Sequence, residues 1–311
     1  MKPSLQGFAA AVVESVSGPA LATLAEELEA VHSLVDGNPV LRAALTDTSM
    51  SAATRRAVVD DLLADRVSSQ ARRSAAFAAG AASAPELPAA LAWLAARARH
   101  AAEGIAVQEP ALGYLSARAR VGGYATFVFE SVATDSLPQI EDELFRFART
   151  VESMPSLRTA LSNRDLPLEV RLAVVNALLA GKVESATLAL VGYTIEGGRP
   201  RDLVGTLDFL VEHTARARGW RVARVHSARD IAPAERDELG RALSALAGNP
   251  VELQVSIESK LLSGVLVQLG DLQIDSTTRG RLDALHEHLF SRGWEDLLDG
   301  PEHGSADKGA R

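Results

Sequence analysis

The sequence predicts a mainly α chain: two similar six-helix bundles followed by a small α+β C-terminal domain. Three observations predict it. Residues 7–98 align with residues 123–214 without a gap, and 27 of the 92 positions are identical. "GFAAAVVESV" falls on "GYATFVFESV", "PVLRAAL" on "PSLRTAL", and "RRAVVDDLLADRV" on "RLAVVNALLAGKV". The period, about 116 residues from Gly7 to Gly123, exceeds the 20–50 residues of a solenoid unit, so a whole domain is duplicated. Apolar residues recur every three or four positions through both copies, which is the helical period. Beyond Arg218-Gly219 the period falls to two, the mark of half-buried strands.

The elements follow in order. Leu21, Leu24, Leu28, Val31 and Val35 form one stripe of an amphipathic helix, and their counterparts Leu137, Ile140, Leu144, Phe147 and Val151 form another. Gly37-Asn38-Pro39 and Ser153-Met154-Pro155 break these helices, because proline cannot continue a helix but suits a first turn. Short helices then cover Leu41–Leu45 and Leu157–Leu161, longer ones about Ala52–Ala64 and Pro167–Ala180. Each copy closes with a helix opened by Pro85 or Pro200. Pro233–Leu246 reads as a helix stopped by Gly248-Asn249-Pro250. Strands are expected at Trp220–His226, at Val251–Ile257 with Val251, Leu253, Val255 and Ile257 on one face, and at Val265–Leu269. A last helix runs from near Ser276 to about Arg292, and the polar tail from Asp299 lacks any period. The expected domains are 1–110, 111–218 and 219–293, with a disordered tail at 294–311. The first copy should have the thinner core: where the second has Phe129, Phe147 and Leu190, the first has Val13, Val31 and Ser74.

Composition narrows the function. A net charge of −8 argues against nucleic acid, where a basic stripe supplies most of the affinity. The chain has no cysteine, so thiol catalysis and thiolate metal sites are excluded. No apolar run reaches the ~18 residues of a membrane span, and residues 1–10 lack a secretory signal's apolar core. Membrane association is therefore expected only through a partner. His286 and His288 point about 200° apart on a helix, so no shared metal is expected. Glu196-Gly197-Gly198-Arg199-Pro200 follows a helix and lacks the Lys-Ser/Thr of a phosphate loop; it reads as a linker. Glu26-Glu27 and Glu141-Asp142-Glu143 are expected on solvated helix faces. Arg42/Arg158 and Arg55/Arg171 recur in both copies, and internal ion pairs or helix-end contacts are the simpler account of them. No catalytic residue, metal or cofactor is expected. A duplicated helical domain without duplicated catalytic groups points to binding.

The segment "LLSGVLVQLGDLQIDSTTRGRLDALHEHL" (Leu261–Leu289) resembles the C-terminal signature of the delta subunits of F-type ATP synthases, relatives of the mitochondrial oligomycin-sensitivity-conferring protein. Gly264, Gly270, Asp271, Asp275, Arg279, Gly280, Arg281 and Leu282 carry the resemblance. Ser263 stands where the signature has the first glycine of a pair, and Ser276-Thr277 where Gly-Ser is usual. "GGYATFVFESV" and "SMPSLRTALSN" resemble the family's opening helix and the loop before its third helix. The resemblance spans Arg120–Leu289, a complete single-copy subunit; the first repeat is an extra helical copy, as in delta subunits of some high-GC bacteria. In part of that group delta is fused behind a membrane-anchored b segment; an unfused form, or a chain from which that segment is missing, is expected here. The resemblance implies a non-catalytic peripheral-stalk subunit at the cytoplasmic face of the bacterial membrane. It would bind an N-terminal helix of an alpha subunit through its helical part and a b-type stalk subunit through its C-terminal part. Tyr124, Phe127 and Val128 with Leu203, Leu207 and Leu210 are the expected groove for that helix. The alternative is a helical adaptor with two protein-binding modules, unrelated to ATP synthesis.

Overall fold

The structure, a computed structural model, describes residues 1–275 apart from 46, 48, 84, 106–111, 220, 248, 249, 258–260, 262, 263, 270 and 271. They fall into two units, one of residues Met1–Arg218 and one beginning at Gly219. The expected last helix and the tail lie outside the described residues, as do Gly270, Asp271, Arg279, Gly280, Arg281, Leu282, His286 and His288.

The first unit holds both helical copies. The first comprises α1 (Pro3–Ser15), α2 (Ala20–Asp36), α3 (Pro39–Leu45), α4 (Ala52–Leu63), α5 (Ser69–Ala81) and α6 (Leu87–Ala102). The second comprises α7 (Tyr114–Ser131), α8 (Leu137–Ser153), α9 (Pro155–Ser162), α10 (Leu168–Leu179), α11 (Ser185–Gly197) and α12 (Leu203–Ala217). Every stripe residue predicted for α2 and α8 is buried. The breaks between helices are chemically specified. Asn38 Oδ1 accepts from Leu41 N (3.0 Å), Ser51 Oγ from Thr54 N (3.1 Å) and Ser68 Oγ from Ala71 N (3.3 Å), each satisfying an otherwise orphaned first-turn donor. Pro200 opens a short 3-10 turn leading into α12, while Pro85 lies before α6, which carries Pro88 in its first turn.

The two copies pack through their first helices, α1 against α7. Gly7 and Gly123, counterparts in the repeat, make the close approach possible. A Cβ on Gly7 would overlap the Arg120 carbonyl group, and one on Gly123 would overlap that of Ser4. Ser4 and Arg120 are themselves counterparts. The contact is therefore reciprocal, the internal equivalent of an isologous dimer interface. Counterpart contacts recur elsewhere: Lys2–Glu86 (3.3 Å) matches Arg118–Asp202 (2.8 Å).

The second unit contains β1 (Arg221–Ser227), α13 (Pro233–Ala247), β2 (Val251–Ile257), β3 (Val265–Leu269) and β4 (Leu272–Asp275). Sheet order is β2-β1-β3-β4. β1 and β2 are parallel, as a helical crossover between them requires, and the other pairings are antiparallel. Ala223, Val225, Leu243, Val251, Leu253, Val267 and Leu269 form the core. β2 alternates less cleanly than the sequence suggests: Ile257 is 61% exposed at the strand end, and Gln254 is buried. β4 was not anticipated, because four residues are too few to show a period.

Candidate partner-binding site

The α1–α7 interface is layered with aromatic rings. Phe8 stacks on Phe77 at 4.1 Å and meets Phe127 edge-on at 5.4 Å. Tyr124 and Tyr193, counterparts of Phe8 and Phe77, stack at 4.0 Å. The Arg73 guanidinium lies 4.2 Å from the centre of the Phe127 ring and donates to the Phe127 carbonyl at 2.8 Å. The interface carboxylates are counterparts as well. Glu130 pairs with Arg56 and with Arg73 of the first copy. Glu14 accepts from the Tyr124 hydroxyl of the second at 2.6 Å. Burial raises the Glu14 carboxyl above its ordinary value, against the lowering effect of the Tyr124 bond. Burial and the Glu14 charge push the Tyr124 hydroxyl up.

All six residues expected to form a groove belong to this folded body. Tyr124 and Phe127 are buried on α7, Val128 is half-buried, and Leu203, Leu207 and Leu210 are buried on α12, which packs on α8 and α7. The structure thus gathers them inside the unit, with the first copy covering Phe127. Beside them His213 on α12 lies 3.0 Å from Thr126 Oγ1 and 5.7 Å from the ring centres of Phe129 and Phe209. Burial, assisted by the Arg216 charge, lowers its pKa to about 4.

One expectation is corrected. Glu141 and Glu143 are buried, not solvated; of the three acids only Asp142 faces outward, pairing with Arg146. Glu141 Oε2 accepts from Arg218 Nη1 at 2.7 Å. Glu143 Oε2 accepts from Glu184 N (3.0 Å) and from the Thr187 hydroxyl (2.6 Å), closing the start of α11. Its counterpart Glu27 accepts from Ser68 N at 2.9 Å, so the carboxylate is a repeated helix cap. The sequence signal was present: Glu27 and Glu143 are identical across the repeat.

The repeated arginines differ between copies. Arg42 pairs with Asp36 at 3.4 Å. Arg55 donates to the Ala79 (3.1 Å) and Gly80 (3.0 Å) carbonyls at the end of α5, a helix-end contact. Its counterpart Arg171, on α10, has a buried Nε without a hydrogen-bond partner. In the second unit Gly264 has φ +87°, a conformation that favours glycine, and Asp275 is exposed at the end of β4. Among the described residues no three His, Asp or Glu side chains gather to hold a metal, and no helix is long and apolar enough to cross a membrane.

The family profile "ATP synthase delta (OSCP) subunit" matches residues 121–289, more than half of the chain. This chain belongs to the ATP synthase delta (OSCP) family. The ATP synthase subunit delta of Acidothermus cellulolyticus is 33% identical over 266 residues, covering 85% of this chain and 87% of that one. That of Salinispora arenicola is 32% identical over 283 residues, covering 91% and 93%. Alignments this long extend well beyond the second copy and the C-terminal unit, so these delta subunits share the first copy. A chain of the Toxoplasma gondii mitochondrial ATP synthase hexamer aligns with 55% of this chain and 97% of its own, at 18% identity and a TM-score of 0.38.

Proposed function

We propose that this chain is the non-catalytic peripheral-stalk subunit of an F-type ATP synthase, joining alpha subunits of the catalytic head to a b-type stalk subunit at the cytoplasmic face of the membrane. The observation that carries the reading is the match to delta subunits along almost their whole length. A generic adaptor has no reason to share both helical copies and the C-terminal signature. The physical task suits the architecture. A turning rotor drags the catalytic head round unless a static link resists, so the link must be stiff and must dissociate slowly. A body whose two halves interlock through backbone-to-backbone contact is stiff. Slow release follows from a helix seated on an apolar face by anchors every three or four residues. A nanomolar contact of that kind needs about 12 kcal/mol, within reach of an interface near ~1,600 Å². In this reading the helical unit takes the alpha-subunit helix and the C-terminal unit takes the b-type subunit.

The test is rebinding of the full chain to membranes stripped of their delta subunit. Restored ATP-driven proton pumping, together with calorimetric binding to the isolated catalytic head, is the expected result. A folded chain that binds neither the head nor the stripped membranes overturns the proposal.

A further inference from the structure

α10 is anomalous. Nine of its twelve residues (LEVRLAVVNALL) are apolar, yet Val175 alone is buried. A helix apolar on all sides belongs in an interior, and this one lies at the surface. Val170, Val174 and Leu178, at positions i, i+4 and i+8, form one outward row; Val170 is 45% and Leu178 39% exposed, with Val174 half-buried. The loop that leads into α10 also forms a cleft with the α11–α12 turn, lined by Arg164, Arg199 and Arg201 together with Ser162, Asn163 and Asp165. None of the three arginines pairs with a described carboxylate. Arginine forks of this kind suit carboxylates.

The first copy lacks the arginine cleft and keeps only part of the row, Val58 (42% exposed) and Leu62 standing for Val174 and Leu178. Its α4 carries Thr54 for Val170, Asp60 for Asn176 and Asp61 for Ala177. Counterparts of the three arginines are Thr48, Ser83 and Pro85, and Asp47 stands for Asn163. The second copy thus combines an apolar row left exposed among the described residues with a net positive cleft at its head, on a chain whose net charge is −8.

We infer that the outer face of α10 and the arginine cleft beside it form one docking surface, and that its occupant is an amphipathic helix of a partner polypeptide with acidic residues at one end of its apolar stripe. The apolar row supplies the affinity by excluding water. The guanidinium groups fix the direction of the helix, and the first copy, whose α4 charges Arg56 and Asp60 are paired with Glu130 and Arg72, offers no matching cleft. Which polypeptide supplies the helix rests on the stalk reading, in which it is the alpha subunit.

The test uses the full chain with two probes: a peptide from the N-terminus of the cognate alpha subunit, by calorimetry, and the isolated catalytic head, by sedimentation. The variant V170E/L178E alters exposed positions, and circular dichroism checks that it folds. It is expected to weaken both contacts by about tenfold or more, whereas T54E/V58E in the first copy changes them less than about twofold. R164Q/R201Q is expected to weaken peptide binding by about threefold to tenfold and to flatten its salt dependence. Wild-type affinity in folded V170E/L178E, or equal harm from T54E/V58E, overturns the inference. A chain that binds the head but not the peptide overturns it while leaving the stalk reading intact; a chain that binds neither removes both.

Discussion

Gly7→Ala and Gly123→Ala test the claim that the two copies interlock through backbone contact. A methyl group on Gly7 would sit 2.7 Å from the Arg120 carbonyl carbon and 2.9 Å from Tyr124 N; on Gly123 it would sit 2.6 Å from the Ser4 carbonyl carbon. Ordinary carbon contacts lie at about 3.5–4 Å, and the carbonyl oxygens of Arg120 and Ser4 would lie closer still, so α1 and α7 must part by more than about 1 Å. The obstacle is backbone and cannot rotate away. Overpacking of this sort costs about 1–3 kcal/mol, and loosening of the edge-on Phe8–Phe127 pair adds about 0.5–1.5. Alanine returns up to about 1 kcal/mol through its better helix propensity. The expected net loss is about 2–3 kcal/mol for either variant, and the near symmetry of the contact makes the two losses similar.

Coupling gives the sharper result. Helices already parted by one methyl group accommodate the second at reduced cost, so the double variant loses about 1 kcal/mol or more less than the sum of the singles. The assay is urea unfolding followed by far-ultraviolet circular dichroism, with the midpoints of all four proteins compared at constant slope. Single losses below about 0.5 kcal/mol, or losses that add within the usual ~0.3–0.5 kcal/mol for independent sites, would refute the interlocked interface.

Three further outcomes are expected. His213 is held near 4 by burial, below its ordinary 6.5, so it stays neutral in the folded chain while the unfolded chain takes up a proton; stability falls as pH drops from about 6.5 to about 4, by up to roughly 3 kcal/mol, and thermal melts of His213→Gln across that range should show a flatter dependence. Glu143→Ala removes the acceptor for Glu184 N and the Thr187 hydroxyl and should cost about 2 kcal/mol in urea unfolding, with an increase in amide exchange confined to the start of α11. Gly192→Ala, in the interior of α11, meets nothing nearer than Leu172 Cδ2 at 3.8 Å and should raise stability by about 0.5–1 kcal/mol; a lower melting temperature would contradict that reading.

The parts of the fold legible in the sequence are those set by local periodicity. The stripes of α2 and α8 announce their helices because every third or fourth residue must enter the core. The breaks at Pro39 and Pro155 announce themselves because proline removes a donor. What could not be read is whatever depends on which surfaces meet. Gly7 and Gly123 interrupt apolar helical segments at a local cost in propensity, a sign of close packing against something, but nothing nearby names the partner as the other copy. The six groove residues are apolar for a reason the sequence shared between two accounts, core and binding face; in the folded chain five of them are buried. Glu141 and Glu143 looked like solvated charges because charge is usually outside. Their partners Arg218 and Glu184 lie 77 and 41 residues away.

The repeat is symmetric where it faces itself and asymmetric where it faces outward. Counterpart residues build the interior: Gly7 with Gly123, the Phe8–Phe77 stack with the Tyr124–Tyr193 stack, Glu27 with Glu143. That symmetry consumes the first-helix faces of both copies, so neither can offer its share of the α1–α7 interface to a partner without giving up the contact that joins them. Recognition therefore moves to surfaces the pairing leaves free, and there the copies have diverged. α4 carries Arg56, which pairs with Glu130 across the interface, and Asp60, which pairs with Arg72 at 3.1 Å. At the same positions α10 carries Leu172 and Asn176. A face whose charges are committed internally is a poor docking surface, and one stripped of them and left apolar is a good one. The duplication thus gives one bracing copy and one binding copy, and the expected stoichiometry is a single partner helix per chain.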